Sequence, residues 1–199
     1  MINPDASKGV LRKRLLSVRA GLTADDVTAA GAALARRALG LPELAAARTV
    51  AAYVSVGREP GTRPLLDALR DRGVRVLLPV LLPDNDLDWA HYTGAGGLAR
   101  AARGLLEPTG DRLGPDAVLS ADTVLLPGLA VDRQGLRLGR GGGSYDRVLA
   151  RLDAAGAAPA LVVLVYDDEL LDRVPGEAHD RPVRAAVTPS GVHRFPAPG

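Results

Sequence analysis

The sequence contains no cysteine and no long apolar run. Without cysteine, the protein has no disulfide, no thiolate nucleophile and no cysteine-ligated zinc or iron–sulfur centre. No segment reaches the roughly eighteen consecutive apolar residues of a membrane-spanning helix, and the N-terminal stretch MINPDASKGVLRKRLL lacks the apolar run of a signal peptide. We therefore expect a cytoplasmic protein with no membrane partner.

Aromatic residues are also scarce, at 3% of the chain, and almost every basic residue is arginine rather than lysine. A nucleic-acid-binding protein usually gathers its basic residues on one face, with aromatic residues between them. Here the isoelectric point is 9.3, but the formal net charge is only +2 and charges of both signs alternate along most of the chain. This pattern favours the base composition of a GC-rich genome as the source of the arginines, and we expect no nucleic-acid partner.

What the chain does have is enough apolar sequence for one substantial core, since 47% of its 199 residues are hydrophobic and no low-complexity stretch divides it. We predict a single α/β domain over residues 1–199. Helical spacing of apolar residues predicts a first helix around residues 10–18, and Thr23 is a candidate N-cap for a second. Strands are predicted at residues 48–56, 74–79, 86–92, 123–128, 159–166 and 183–189, with helices at 62–72 and 144–155.

Buried strands that alternate with helices are typical of a mostly parallel sheet. The predicted fold is therefore a three-layer sandwich, Rossmann-like, with helices on both faces of a central sheet and right-handed crossovers. Residues 93–120 and 167–182 are predicted to be functional or mobile loops. Ligands of such sheets bind at the carboxyl ends of the strands.

The most informative stretch lies at one of those carboxyl ends and reads PGLAVDRQGLRLGRGGGSYDR over residues 127–147. Three consecutive glycines leave the backbone N–H groups open to a ligand, and Arg137, Arg140 and Arg147 supply positive charge on both sides. No Lys-Ser/Thr pair follows the glycines, so this is not a Walker loop, and the spacing does not fit a GxGxxG dinucleotide site. The residue types nevertheless predict a phosphate-binding loop.

The same stretch closely resembles the signature PGLAFD-x-x-G-x-RLGRGGGYYDR of the 5-formyltetrahydrofolate cyclo-ligase family. Other segments resemble further landmarks of that family in the same order: KGVLR (8–12), YVSVGREPGT (53–62), LLEP (105–108) and HDRPVRAAVTPSGV (179–192). Five landmarks over nearly the whole chain make an accidental similarity improbable. The resemblance implies an ATP-dependent, Mg²⁺-requiring enzyme that closes 5-formyltetrahydrofolate to 5,10-methenyltetrahydrofolate and releases ADP and phosphate. It also implies phosphorylation of the formyl oxygen and attack by N10.

The resemblance assigns roles residue by residue. It implies catalytic roles for Arg140 and Asp146, and Mg²⁺ ligation by Asp146 and Asp180. The implied ATP-binding residues are Lys8, Arg12, Arg137, Leu138, Gly139, Arg140, Gly141, Gly142, Gly143, Ser144 and Tyr145. The implied folate-binding residues are Val54, Glu59, Arg140, Gly141, Gly142, Gly143 and Ser144.

Several of these residues have a plainer interpretation. Lys8 and Arg12 lie one helical turn apart and could form a solvated basic face, while Glu59 could be an ordinary surface residue in a turn. The glycines could form a tight turn with exposed arginines. Glu107, Trp89 and His179 receive no role, and Trp89 fits equally well as a half-buried strand residue.

The chain departs from the family pattern where Ser144 replaces the first of two tyrosines after the glycines. The lost aromatic ring leads us to expect altered folate affinity with retained activity. Serine could also cap the helix that follows.

Two other functions remain open from the sequence. The family's fold resembles that of sugar-phosphate isomerases and CoA-transferases, and an Arg/Gly loop would also hold a single phosphate without any use of ATP. The isoelectric point alone motivates a non-enzymatic basic protein that binds a partner enzyme, or binds nucleic acid in a salt-sensitive way. We expect a monomer that acts on small molecules.

Overall fold

The computed structural model describes residues 4–177 and 180–196. Within these residues the α-helices are α1 (Pro4–Ala20), α2 (Ala24–Ala38), α3 (Pro42–Ala45), α4 (Arg63–Asp71) and α5 (Ser144–Ala154). The strands are β1 (Thr49–Ala51), β2 (Arg75–Leu81), β3 (Leu87–His91), β4 (Leu98–Arg100), β5 (Leu106–Pro108), β6 (Thr123–Pro127), β7 (Ala130–Asp132), β8 (Arg137–Leu138), β9 (Ala160–Leu164), β10 (Leu170–Leu171), β11 (Ala185–Val187) and β12 (Val192–Arg194).

The central sheet has seven strands in the order β12-β11-β9-β6-β1-β2-β3. The five inner strands run parallel, and the two edge strands pair antiparallel to their neighbours. A three-stranded sheet, β10-β7-β8, and a two-stranded sheet, β4-β5, lie outside it. The predicted mostly parallel sheet is confirmed.

Helices cover both faces of this sheet, because successive strand residues point to opposite sides. Val50 packs in a cluster with residues of α2, α3 and α4, whereas its neighbour Ala51 packs in a second cluster with residues of α5. Strands buried on both faces read as continuous apolar runs, which explains the runs seen in the sequence. The predicted three-layer arrangement is also confirmed.

The predicted start of α2 is confirmed as well. The Thr23 hydroxyl accepts a hydrogen bond from the backbone N–H of Asp26, and the Asp26 carboxylate accepts one from the N–H of Thr23 at 2.8 Å. This reciprocal pair is a capping box and satisfies two N–H groups that the helix leaves free. The predicted serine cap of α5 is wrong, because Gly143 precedes that helix without a side-chain cap and Ser144 is its first residue.

The helix predicted from apolar spacing near the N-terminus exists as α1, but much of its apolar sequence faces solvent. Val10 is 71% exposed and Val18 is 49% exposed. The residues that α1 turns toward the protein include Lys8, Leu15 and Arg19, which are buried. The inner face of α1 therefore carries positive charge, which an apolar pattern cannot reveal.

The loop predictions were partly wrong. Residues 93–120 contain the hairpin β4-β5, and residues 167–182 contain β10. The stretch 127–147, predicted as a phosphate-binding loop, contains β7 and β8 before the glycines. The strand predicted at 48–56 ends at residue 51 and continues as irregular chain. No helix among the described residues combines the length and apolar character needed to cross a membrane.

Candidate functional site

A cleft of about 1030 Å³ opens at the carboxyl ends of the parallel strands. Pockets for one small ligand usually measure about 300–1,000 Å³, so this cleft has room for more than one compact ligand. It brings together nearly all residues that the sequence singles out. Those that line it are Lys8, Arg12, Val54, Glu59, Arg137, Leu138, Gly139, Arg140, Gly141, Gly142, Gly143, Ser144, Tyr145, Asp146 and Asp180.

The glycine loop lies against α1. Gly141 has a φ of +91°, a conformation that a residue with a side chain rarely adopts, and a Cβ there would approach the Arg12 guanidinium to 3.3 Å. The Arg12 Nε donates a hydrogen bond to the carbonyl of Gly139 at 3.0 Å. Arg12 thus fixes one end of the loop, and the interpretation of residues 8–12 as a merely solvated basic face is wrong.

Arg137 lies beneath the loop on β8 with a side chain only 7% exposed. Its Nη1 donates to the carbonyl of Pro127 at 3.1 Å and its Nη2 to the Asp146 carboxylate at 3.3 Å, while its Nε has no partner among the described residues. Burial lowers the pKa of Arg137 against the opposing effect of Asp146. The tight-turn interpretation with exposed arginines is therefore wrong for Arg137, whose charge is held inside the cleft.

Lys8 lies on the same wall and is buried. Its Nζ is 3.2 Å from the Asp180 carboxylate and 3.3 Å from that of Glu177. The Asp180 carboxylate also accepts the backbone N–H of Glu177 at 2.8 Å. These contacts join the first helix to the segment before the last parallel strand, β11, at the cleft.

Glu59 faces the glycine loop from the turn that follows β1. Its Oε2 accepts the backbone N–H of Val56 at 2.8 Å, and its Oε1 lies 3.1 Å from the Nε of Arg140. The Glu59 side chain is 9% exposed and the Arg140 side chain 50% exposed. The carboxylate is therefore fixed by the fold while the arginine can move away, and the interpretation of Glu59 as a plain surface residue is wrong.

Two tyrosines that line the cleft are neutral hydrogen-bond donors. Burial raises the pKa of Tyr145, and the nearby Glu59 charge adds to this effect. Burial likewise raises the pKa of Tyr53 well above its ordinary value. The Tyr145 hydroxyl is buried without a partner among the described residues, and such a group costs free energy unless a ligand satisfies it.

Beneath the cleft, Arg19 joins several of the segments that shape it. Its Nε and Nη2 donate to both carboxylate oxygens of Glu169 at 2.6 and 2.8 Å, and Nη2 also donates to the carbonyl of Gly128 at 2.6 Å. Burial alone would lower the pKa of Arg19, but the hydrogen bonds and charge of Glu169 outweigh it and the pKa is raised. The neighbouring Tyr166, whose pKa burial raises to about 12, donates to the carbonyl of Arg58 next to Glu59.

The two carboxylates that the sequence proposes for Mg²⁺ are both in the cleft, each next to a cation. The described residues contain no group of three or more His, Cys, Asp or Glu that could hold a metal by themselves. Mg²⁺ commonly takes only one or two carboxylates and completes its octahedron with phosphate and water. Asp146 and Asp180 therefore fit Mg²⁺ that arrives with a nucleotide, and do not fit a permanent all-protein site.

Comparison with known proteins shows the family to which the chain belongs. Residues 4–189 match the model of the 5-formyltetrahydrofolate cyclo-ligase family. The chain belongs to this family. It is 47% identical to the 5-formyltetrahydrofolate cyclo-ligase of Mycolicibacterium smegmatis over 71% of this chain and 74% of that protein. It is 34% identical to the Escherichia coli enzyme of that name, over 87% of this chain and 96% of that one.

A solved structure supports the same assignment of the fold. The 5,10-methenyltetrahydrofolate synthetase of Aquifex aeolicus superposes with a TM-score of 0.80 at 28% identity, covering 96% of this chain and 94% of that one. The family resemblance found in the sequence is thus confirmed, and the protein is an enzyme of the cyclo-ligase family.

Some residues singled out in the sequence have a different position or burial from the one expected. Arg147 is on the outer side of α5, does not line the cleft, and is 3.9 Å from Asp84. The Leu138 side chain is buried in a core cluster with Leu15, so only its backbone faces a ligand. Trp89 is fully buried under α5 rather than half-buried, and His179 lies outside the described residues.

Sequence reasoning missed Arg19, Glu169 and Tyr53. Arg19 follows Arg12 by seven residues, which places both on one helix face, and this spacing was the available signal for it. Nothing near Glu169 in the sequence indicates its partner, because 150 residues separate the two.

The position of Ser144 allows a direct test of the family departure. Ser144 lines the cleft beside the glycines. Replacing it with tyrosine should lower the KM for the folate by about two- to ten-fold, the usual gain from an added aromatic contact, and leave kcat within two-fold. Steady-state kinetics with Ser144→Ala as the control would measure this. An unchanged KM would show that the aromatic ring has no role here.

Proposed function

We propose that the protein catalyses the ATP-dependent cyclisation of 5-formyltetrahydrofolate to 5,10-methenyltetrahydrofolate. A formamide carbonyl is a poor electrophile, and its oxygen is a poor leaving group until it is phosphorylated. The formyl oxygen attacks the γ-phosphorus of ATP and ADP leaves. N10 then attacks the formyl carbon and loses its proton, and the C–O bond to phosphate breaks.

One observation carries the proposal: a loop suited to phosphate and a fixed carboxylate suited to a pterin face each other across an ion pair of 3.1 Å between Arg140 and Glu59. A carboxylate that can accept paired N–H bonds suits the edge of a pterin ring. Guanidinium and bare backbone N–H groups suit a triphosphate. The contact between Arg140 and Glu59 shows that these two groups are neighbours in one cleft, as a reaction between a folate oxygen and a phosphorus atom requires.

The residues divide the work of binding and charge stabilisation between them. Lys8, Arg12 and the loop Gly139–Gly143 hold the triphosphate, while Val54 and Glu59 hold the pterin. Arg140 exchanges Glu59 for the transferring phosphoryl group and stabilises the charge that develops on its oxygens. Such reactions need mainly positioning and electrostatic stabilisation, since the protein forms no covalent bond.

Arg137 and Tyr145 complete the environment of the transferred group. Arg137 is buried, and among residues 4–177 and 180–196 its Nε–H and the Tyr145 hydroxyl have no hydrogen-bond partner, so both could donate to a ligand. Asp146 and Asp180 would hold Mg²⁺ together with the phosphates, and the ion would neutralise phosphate charge.

The direct test is the absorbance of the methenyl product after mixing the folded protein with 5-formyltetrahydrofolate and Mg-ATP. We expect the absorbance to rise only when ATP is present and one ADP to form per methenyl group. Reactions without ATP, or with ADP in its place, are the controls. No rise with folded protein would reject the proposal. Isomerisation of a sugar phosphate without ATP would support the isomerase function instead.

A further inference from the structure

One end of the cleft has no role in the reaction as described. Part of its wall is apolar, and an arginine, Arg103, also lines the cleft and contacts Asn85 in the turn after β2. The apolar side chains that line this end are Pro79, Leu81, Leu87, Leu105 and Leu106. A pocket of this kind suits a flat apolar group with a negative charge at its far end.

Arg103 has an unusual backbone. It lies at the turn of the β4-β5 hairpin with φ +58° and ψ +22°, the left-handed region, and Asn85 has φ +66°. In the described part of the chain these are the two residues other than glycine with a positive φ. They contact each other, because the Arg103 Nη1 donates to the Asn85 Oδ1 at 3.2 Å. A non-glycine residue in this region is strained, and such residues cluster at ligand-binding sites.

The fold holds this hairpin in place at the end of the cleft. The Glu107 carboxylate on β5 accepts the backbone N–H of Leu81 at the end of β2, at 2.9 Å. Arg103 makes no ion pair with any residue between 4 and 177 or between 180 and 196, and its one side-chain partner there is a neutral amide. Its positive charge is therefore free for a ligand.

The order of chemical groups across the cleft follows the order of the strands. Strands β6, β1 and β2 are neighbours in the sheet. The phosphate loop follows β6, Glu59 follows β1, and the apolar section with Arg103 adjoins β2. The cleft thus presents a cationic loop, a carboxylate, an apolar section and a final cation. A folate has the matching order: a formylated pterin, an aryl ring and a glutamate with two carboxylates.

We propose that Arg103 binds a carboxylate of the glutamate tail and selects folates that carry this tail over analogues without it. This inference rests on the proposed function. A guanidinium forms charge-assisted hydrogen bonds with a carboxylate, and the exposure of Arg103 to solvent limits their strength. The expected selectivity is about ten-fold in KM and should decrease as the salt concentration rises.

The test compares 5-formyltetrahydrofolate with 5-formyltetrahydropteroate, which is the same molecule without the glutamate. The wild-type protein should show a KM about ten-fold lower for the folate. In Arg103→Asn the KM for the folate should rise to that for the pteroate, with the pteroate KM and both kcat values unchanged. Asparagine is chosen because it tolerates a positive φ. Arg103→Lys, which keeps the charge, should recover part of the selectivity.

Arg100→Asn is the matched control, since this exposed arginine is on β4 of the same hairpin but does not line the cleft. It should leave both KM values unchanged. Equal KM values for the two substrates in the wild type, or an equal shift of both in Arg103→Asn, would overturn the inference. A change in the KM for ATP alone would also overturn it. Failure of the wild-type protein to convert either substrate would reject the proposed function instead.

Discussion

Replacing Asp146 with alanine is expected to lower kcat by about 10³-fold while leaving the fold intact. The Asp146 side chain is 65% exposed, so its loss leaves no cavity in the core. Its carboxylate would hold Mg²⁺ beside the transferring phosphate and also pairs with Arg137 at 3.3 Å. Removing it therefore takes away a metal ligand and loosens a buried cation next to the loop.

Steady-state kinetics across a range of Mg²⁺ concentrations would measure this effect. If Asp146 is a ligand, the variant should require more Mg²⁺ for half-maximal rate as well as turning over slowly. Asp172→Ala is the control, because Asp172 forms an exposed pair with Arg133 at 2.7 Å and does not line the cleft. A fully active Asp146→Ala enzyme would remove both the metal and the catalytic assignment.

Replacing Glu169 with glutamine is expected to lower the free energy of unfolding by about 3–5 kcal/mol, because it leaves the charge of Arg19 buried without its partner. Both side chains are only 3% exposed. Glutamine keeps the size of the side chain, so packing changes little. The effect should appear as a shift in the midpoint of urea unfolding with an unchanged slope.

The exposed ion pair between Asp172 and Arg133 provides a control for the loss of stability in Glu169→Gln. In Asp172→Asn the exposed pair with Arg133 is broken, and the change should stay below about 1 kcal/mol. In the double variant Arg19→Met, Glu169→Gln the buried charge is gone, so part of the lost stability should return. A loss below about 1 kcal/mol in Glu169→Gln would show that water or the Gly128 carbonyl satisfies Arg19 without the glutamate.

The central sheet could be predicted from the sequence because its strands are buried on both faces. Residues 160–165 and 124–126 are apolar at every position, and the start of α2 is marked by the capping box at Thr23. The short strands β7, β8 and β10 could not be predicted. Each has two or three residues, too few for any period to show, and β10 forms only by pairing with the distant β7.

The candidate site could be predicted only where its residues are close in sequence. The glycine loop and its arginines occupy one stretch, so their residue types alone indicated phosphate binding. Glu59 and Lys8 carry no such local signal, and only the family resemblance singled them out. The ion pair between Arg19 and Glu169 depends on the packing of α1 against the chain after β9, which no local pattern encodes.

The contact between Arg140 and Glu59 also bears on how two substrates would share this cleft. A pterin that binds Glu59 would break its ion pair with Arg140 and leave Arg140 free. A nucleotide that binds Arg140 would likewise leave Glu59 free. Binding of the first molecule includes the free energy needed to break the ion pair between Arg140 and Glu59. Binding of the second does not, because the pair is already broken. Each should therefore raise the affinity for the other by the same factor, which a nucleotide titration with and without folate would measure.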